Sequence, residues 1–116
     1  MKFGLGVVAV AAATVVIGFG ALSSPANAAS CSLFGNLKSV NSGTKIALNF
    51  VNRSGGYRVV MWLDYQGRPI DYKALNNGES YRQSTFVGHP WMITDGPGNC
   101  RQIVVPKRSR RVTIRR

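Results

Sequence analysis

The chain has one histidine, two cysteines and four carboxylates among 116 residues, and each scarcity closes off a kind of chemistry. Two Cys and one His fall short of the four ligands of a structural zinc site, so no metal and no other cofactor is expected. The carboxylates, Asp64, Asp71, Glu79 and Asp95, are scattered and offer no pair for glycoside hydrolysis. His89 could be combined on paper with a serine and Asp64, Asp71 or Asp95, but no Gly-x-Ser-x-Gly elbow presents a nucleophile. A glycine-rich phosphate loop is also missing. The reading is of a protein that is not an enzyme.

The N-terminus lacks charge altogether between Phe3 and Leu22. Lys2 precedes this Ala-, Val- and Gly-rich run, Ser23-Ser24-Pro25 ends it, and Ala26-Asn27-Ala28 forms a small-x-small box. That is the three-part pattern of a secretory signal, expected over residues 1–28 with cleavage after Ala28. The run is also long enough to span a bilayer, but the box that follows favours a leader. Ala28 stands three positions before Cys31, where lipid attachment would want a bulky apolar residue. The expected location is therefore outside the cytoplasm, secreted or periplasmic. There the simplest use of Cys31 and Cys100 is one disulfide, which would help a domain this small to stay folded.

Negative charge is the next shortage. Fifteen Lys and Arg oppose four Asp and Glu, for a formal net charge of +11. Lys107, Arg108, Arg110, Arg111, Arg115 and Arg116 crowd the last ten positions. Such a basic C-terminus could contact anionic polymers or surfaces. It could also simply protect the edge of a sheet.

Helical periodicity is scarce after the leader, and strand signals recur. Ile46, Leu48 and Phe50 alternate with polar or small neighbours. Tyr57, Val59, Met61 and Leu63 form one face of a second strand, with Arg58, Trp62 and Asp64 on the other, which is read as facing away from the core. Further strands are expected over 71–75, 79–86, 91–94, 100–105 and 110–115. Turn signals separate them at Asn52-Arg53-Ser54-Gly55-Gly56, Gln66-Gly67, Asn76-Asn77-Gly78 and 95–99. Seven short strands at this spacing predict an all-β antiparallel sandwich or barrel. The domain is expected over 41–106, with a lead-in at 29–40 and the basic segment 107–116 supplying a possible last strand. Asn52-Arg53-Ser54 also fits a glycosylation sequon. Two Trp and several Tyr are more than a small core requires. Trp91 reads equally well as core packing and His89 as a satisfied loop residue, but a surface aromatic cluster with one His and nearby hydroxyls is how a peptide pocket would be built.

Several of these segments, in order, carry a resemblance. They are Leu37 to Ser42, Asn52-Arg53-Ser54, Val59 to Pro69 with its Trp62-Leu63 and Gly67-Arg68-Pro69, Tyr72, and Gly88-His89-Pro90-Trp91. Together they resemble the β-domain of the von Hippel–Lindau tumour suppressor family from about Leu37 to Pro106, with Arg111 to Ile114 able to serve as its last strand. The resemblance implies a seven-stranded sandwich that binds an extended peptide containing 4-hydroxyproline. It places the pocket on Trp62, Tyr72, Trp91, Thr85 and His89, with Thr85 in place of the family's Ser. The surroundings differ: Phe86 replaces Tyr, Ser84 replaces His, and Pro90 replaces Leu. The family's ubiquitin-ligase role needs a helical α-domain, and the chain ends at Arg116 before one. No ubiquitin-ligase adaptor is therefore expected as a partner. The expectation is an exported, non-catalytic module that binds a peptide or protein through an aromatic pocket. The alternative is a basic protein that binds anionic polymers or envelope surfaces through its Arg-rich end.

Overall fold

A computed structural model describes residues 28–29 and 31–116; the expected leader lies outside them apart from Ala28. The described residues form eight strands: β1 (Ala28–Ala29), β2 (Lys45–Asn52), β3 (Arg58–Leu63), β4 (Pro69–Leu75), β5 (Ser80–Phe86), β6 (Trp91–Thr94), β7 (Cys100–Val104) and β8 (Arg110–Ile114). One turn of 3₁₀ helix covers Cys31–Leu33. Five strands form one sheet in the order β1-β7-β6-β3-β4, and three form the other in the order β5-β2-β8. The seven longer strands lie where the alternating runs and the turn spacing of the sequence placed them.

The two sheets pack face to face because their inner faces carry the apolar residues. Leu48 and Phe50 of β2 and Val112 and Ile114 of β8 meet Val60, Leu75, Trp91, Ile93 and Val104 of the larger sheet. Burying each such side chain contributes about 2 kcal/mol against chain entropy. The larger sheet is also covered on its outer face. Leu63, Met92 and Ile103 form a second cluster there, joined by Leu37, Met61, Cys100 and Val105. The lead-in is therefore a packing layer. This explains why all four residues of β6 are buried: a strand covered on both faces shows no alternation.

Two expectations are corrected here. Trp62 is not on a face turned from the core. It pairs with Trp91 and, half-buried, packs against the principal cluster with Val60 two residues before it. Met61 and Leu63 belong to the second cluster on the other face. Both faces of β3 are apolar, so alternation could not say which one meets the other sheet. The sandwich is also not wholly antiparallel, because β8 pairs parallel to β2, from Leu48↔Arg110 to Asn52↔Ile114. The connection after β7 carries the chain from one sheet to the other, so β8 arrives running the same way as β2.

Cys31 and Cys100 are joined, with their Cα atoms 5.9 Å apart, inside the usual disulfide range. The bond ties the 3₁₀ turn to β7. Asn52 knits the first turn from the inside. Its amide nitrogen donates to the carbonyls of Gly56 at 2.8 Å and Leu75 at 2.9 Å. Its oxygen accepts from the backbone N–H and the hydroxyl of Ser54. Asn52 is fully buried, so the sequon is a structural turn, with no access for a glycan in the folded state. Among the described residues no helix is long and apolar enough to cross a membrane.

Candidate functional site

At one end of the sandwich the sheets part at β5 on one side and β3, β4 and β6 on the other. A cavity of about 230 Å³ opens there, lined by Trp62, Tyr65, Tyr72, Gln83, Ser84, Thr85, Phe86, His89 and Trp91. Trp62, Tyr72, Thr85, His89 and Trp91, named from the sequence, all line it.

Each arrives by a local device. Trp62 and Trp91 face one another across the β3–β6 ladder. Tyr72 is the extra residue of a β-bulge, since the register steps from Val60↔Lys73 to Met61↔Asp71. Bulges re-aim side chains; this one allows Tyr72 to reach the cavity while Leu75 stays in the core. The Tyr72 ring meets Trp91 edge to face at 5.0 Å and Trp62 at 6.3 Å. Thr85 lies on the inner face of β5, opposite Ile46. His89 follows Gly88, whose φ of +84° is left-handed and suits glycine. A Cβ on Gly88 would also come within 3.1 Å of Val40 Cγ2, so any other residue here would press on the lead-in as well as strain the backbone.

Hydrogen bonds fix the walls. Trp91 Nε1 donates to Thr85 Oγ1 at 2.9 Å. Trp62 Nε1 donates to His89 Nδ1 at 3.2 Å, and His89 Nε2 lies 2.9 Å from the Val40 carbonyl oxygen. An indole nitrogen only donates and a carbonyl only accepts. The imidazole must therefore accept at Nδ1 and carry its hydrogen on Nε2. Both ring nitrogens are committed within the protein, and the residue is only 4% exposed. The Thr85 hydroxyl accepts from Trp91 and keeps its own hydrogen to donate. Trp91 is 2% exposed and belongs to the principal core as well as the cavity wall.

The structure adds Tyr65 and Gln83 to the site. Tyr65 packs edge to face on Trp62 at 5.6 Å and on His89 at 5.5 Å. It sits in a turn, outside any alternating pattern, so sequence reasoning had no signal for it. Asp64 builds that turn: its carboxylate accepts the N–H groups of Gln66 and Arg68, each at 2.8 Å, and Arg68 Nε at 2.9 Å. Burial pushes the Asp64 carboxyl up, but these donors and the Arg68 charge outweigh it and hold it below the usual aspartate value. Gln83 accepts from the Tyr81 hydroxyl and donates to the Ser84 carbonyl. Burial, with a smaller repulsion from Tyr72, raises the Tyr81 phenol above its usual range.

The basic C-terminal residues do not gather at the cavity. Arg110 and Arg111 lie in β8, and Lys107, Arg108, Arg115 and Arg116 flank it, exposed to solvent. Val112 and Ile114 between them are buried, so removing this segment would open the core as well as remove charge.

The geometry defines a class: an all-β sandwich with a preformed, largely aromatic cavity where its two sheets separate. The profile of the VHL beta domain matches residues 37–108, more than half of the chain, and the chain belongs to the VHL β-domain family. In general that domain is a non-catalytic module that binds peptide or protein ligands.

Proposed function

We propose that this chain is an exported binding module whose cavity receives a small hydroxylated ring, such as 4-hydroxyproline, from an extended polypeptide. The observation that carries the reading is the convergence of Trp62, Tyr72 and Trp91 around a buried Thr85 hydroxyl that retains a hydrogen to donate. Aromatic walls take the apolar faces of a pyrrolidine, and the hydroxyl supplies a partner for the ligand oxygen. A site built to bond a hydroxyl rejects the analogue that lacks it, because its own polar group is then left unpaired. His89 acts as a positioning residue, holding Trp62 on one side and Val40 on the other. Among the described residues β5 pairs only with β2, and its open edge runs beside the cavity and can hold an extended chain by backbone hydrogen bonds. Export is supported by the leader pattern of residues 1–28 and by the disulfide, a bond of oxidising compartments.

The test is calorimetry with matched proline-rich peptides that differ in one central residue. At least tenfold tighter binding of the hydroxyproline peptide than of the proline peptide is expected. Equal affinities, or no binding of either, would overturn the reading.

A further inference from the structure

The three-stranded sheet has a second face, turned away from the core, and its charge is one-sided. Strands β2, β5 and β8 contain no Asp or Glu. The ladder aligns Arg82, Asn49 and Arg111 in one row, since Asn49 pairs with Arg82 on one side and with Arg111 on the other. Paired residues share a face, and Leu48 and Phe50 beside Asn49 point into the core, so this row faces out. Two strand spacings put the Cα atoms of Arg82 and Arg111 roughly 10 Å apart. Lys45 lies on the same face, four residues before Asn49.

Between the charges the floor is low. Ala47 pairs with Ser84, and its backbone N–H donates to Ser109 Oγ at 2.9 Å. The Ser109 hydroxyl therefore keeps its hydrogen to donate. A shallow depression of about 250 Å³ lies here, lined by Lys45, Ala47, Arg82, Ser84 and Ser109 among others. The ion pairs found, Arg68–Asp64 and Arg101–Asp95, neutralise cations elsewhere. Among the described residues no carboxylate pairs with Lys45, Arg82 or Arg111.

We infer that this face binds a linear polysaccharide bearing sulfate or phosphate groups. Spaced cations with hydroxyl donors between them suit tetrahedral oxyanions repeated along a chain. The face offers no aromatic platform of the kind single-stranded nucleic acids stack on. The Phe86 ring, which starts on this side of β5, is turned against His89 at 5.4 Å. It also offers no exposed large apolar side chain to enter a membrane: Val51 is 6% exposed, and none of the exposed large apolar residues among the described residues lies in β2, β5 or β8. Charge and hydroxyl contacts without stacking or insertion favour a glycan over either alternative.

The test compares two variants that lose the same three charges. One is K45Q/R82Q/R111Q on the sheet face; the other is K107Q/R108Q/R116Q in the basic C-terminal run. Each is titrated at 0.15 M salt with dextran sulfate and with a phosphorylated mannan, and also with anionic phospholipid vesicles and single-stranded DNA. Circular dichroism checks that both remain folded. The sheet-face variant is expected to lose at least five times more affinity for one or both glycans than the C-terminal variant. A smaller ratio for both glycans overturns the proposal, as does no binding of the unaltered protein to either. Equal or tighter binding of vesicles or DNA overturns it too. None of the three sheet-face residues lines the aromatic cavity, so this outcome is independent of the peptide test.

Discussion

The Trp62 indole donates to Nδ1 of His89 while the two rings stack with centroids 5.9 Å apart and planes inclined by 27°. One histidine thus fixes the ring that forms a wall of the cavity and, through Nε2, anchors the lead-in at Val40. Nitrogen NMR is expected to find the hydrogen on Nε2. His89→Phe keeps an aromatic ring but leaves the Trp62 N–H and the Val40 carbonyl without partners. A stability loss of about 2 kcal/mol is expected from denaturant unfolding, together with at least a tenfold loss of peptide affinity. Unchanged binding in a folded His89→Phe would show that Trp62 needs no such support.

Thr85 separates packing from recognition. Thr85→Val keeps the shape but strands the buried Trp91 N–H, at a cost of about 1–3 kcal/mol. It is expected to abolish the preference for hydroxyproline over proline. Thr85→Ser is expected to restore that preference in the same calorimetric comparison, because it returns the hydroxyl.

The fully buried Asn52 side chain carries four hydrogen bonds that hold its turn. Asn52→Ala is expected to destabilise the domain by about 3 kcal/mol, through backbone and side-chain groups left unpaired. Asn52→Asp repairs only the accepting half and is expected to fall short of rescue at neutral pH. Chemical unfolding of the two variants checks both statements.

Acid should loosen the Asp64 turn. The folded carboxyl titrates below the ordinary 3.8, so the unfolded state binds the proton first as pH falls. The stabilisation is complete above about pH 5 and is lost as pH drops through the folded value. Asp64→Asn is expected to remove this acid-dependent part. Its thermal midpoint, followed from pH 6 to pH 2, should fall less steeply than that of the unaltered protein.

Much of the fold was legible because half-buried strands announce themselves by alternation: Ile46, Leu48 and Phe50 point inward as read. The failures have physical causes. β3 is apolar on both faces, so alternation does not tell that Trp62 faces the opposite sheet. The parallel pairing of β8 with β2 depends on where a crossover lands, which no local pattern encodes. The cavity was legible in five residues through family resemblance, whereas periodicity alone pointed only to an excess of aromatics. Tyr65 enters through a turn shaped by Asp64, and Gln83 reads as an ordinary strand polar residue. The commitment of both His89 nitrogens depends on Val40, 49 positions away, and emerges only in three dimensions.

The disulfide has a consequence for where this fold can persist. It closes a loop with a sequence separation of 69, which restricts the unfolded chain by about 4 kcal/mol in the chain-entropy model. For a domain of this size that is a large share of total stability. The same polypeptide would be a marginal folder under reducing conditions and a durable one under oxidising conditions. It would remain pliable where thiols stay reduced and be held firmly where Cys31 and Cys100 stay joined.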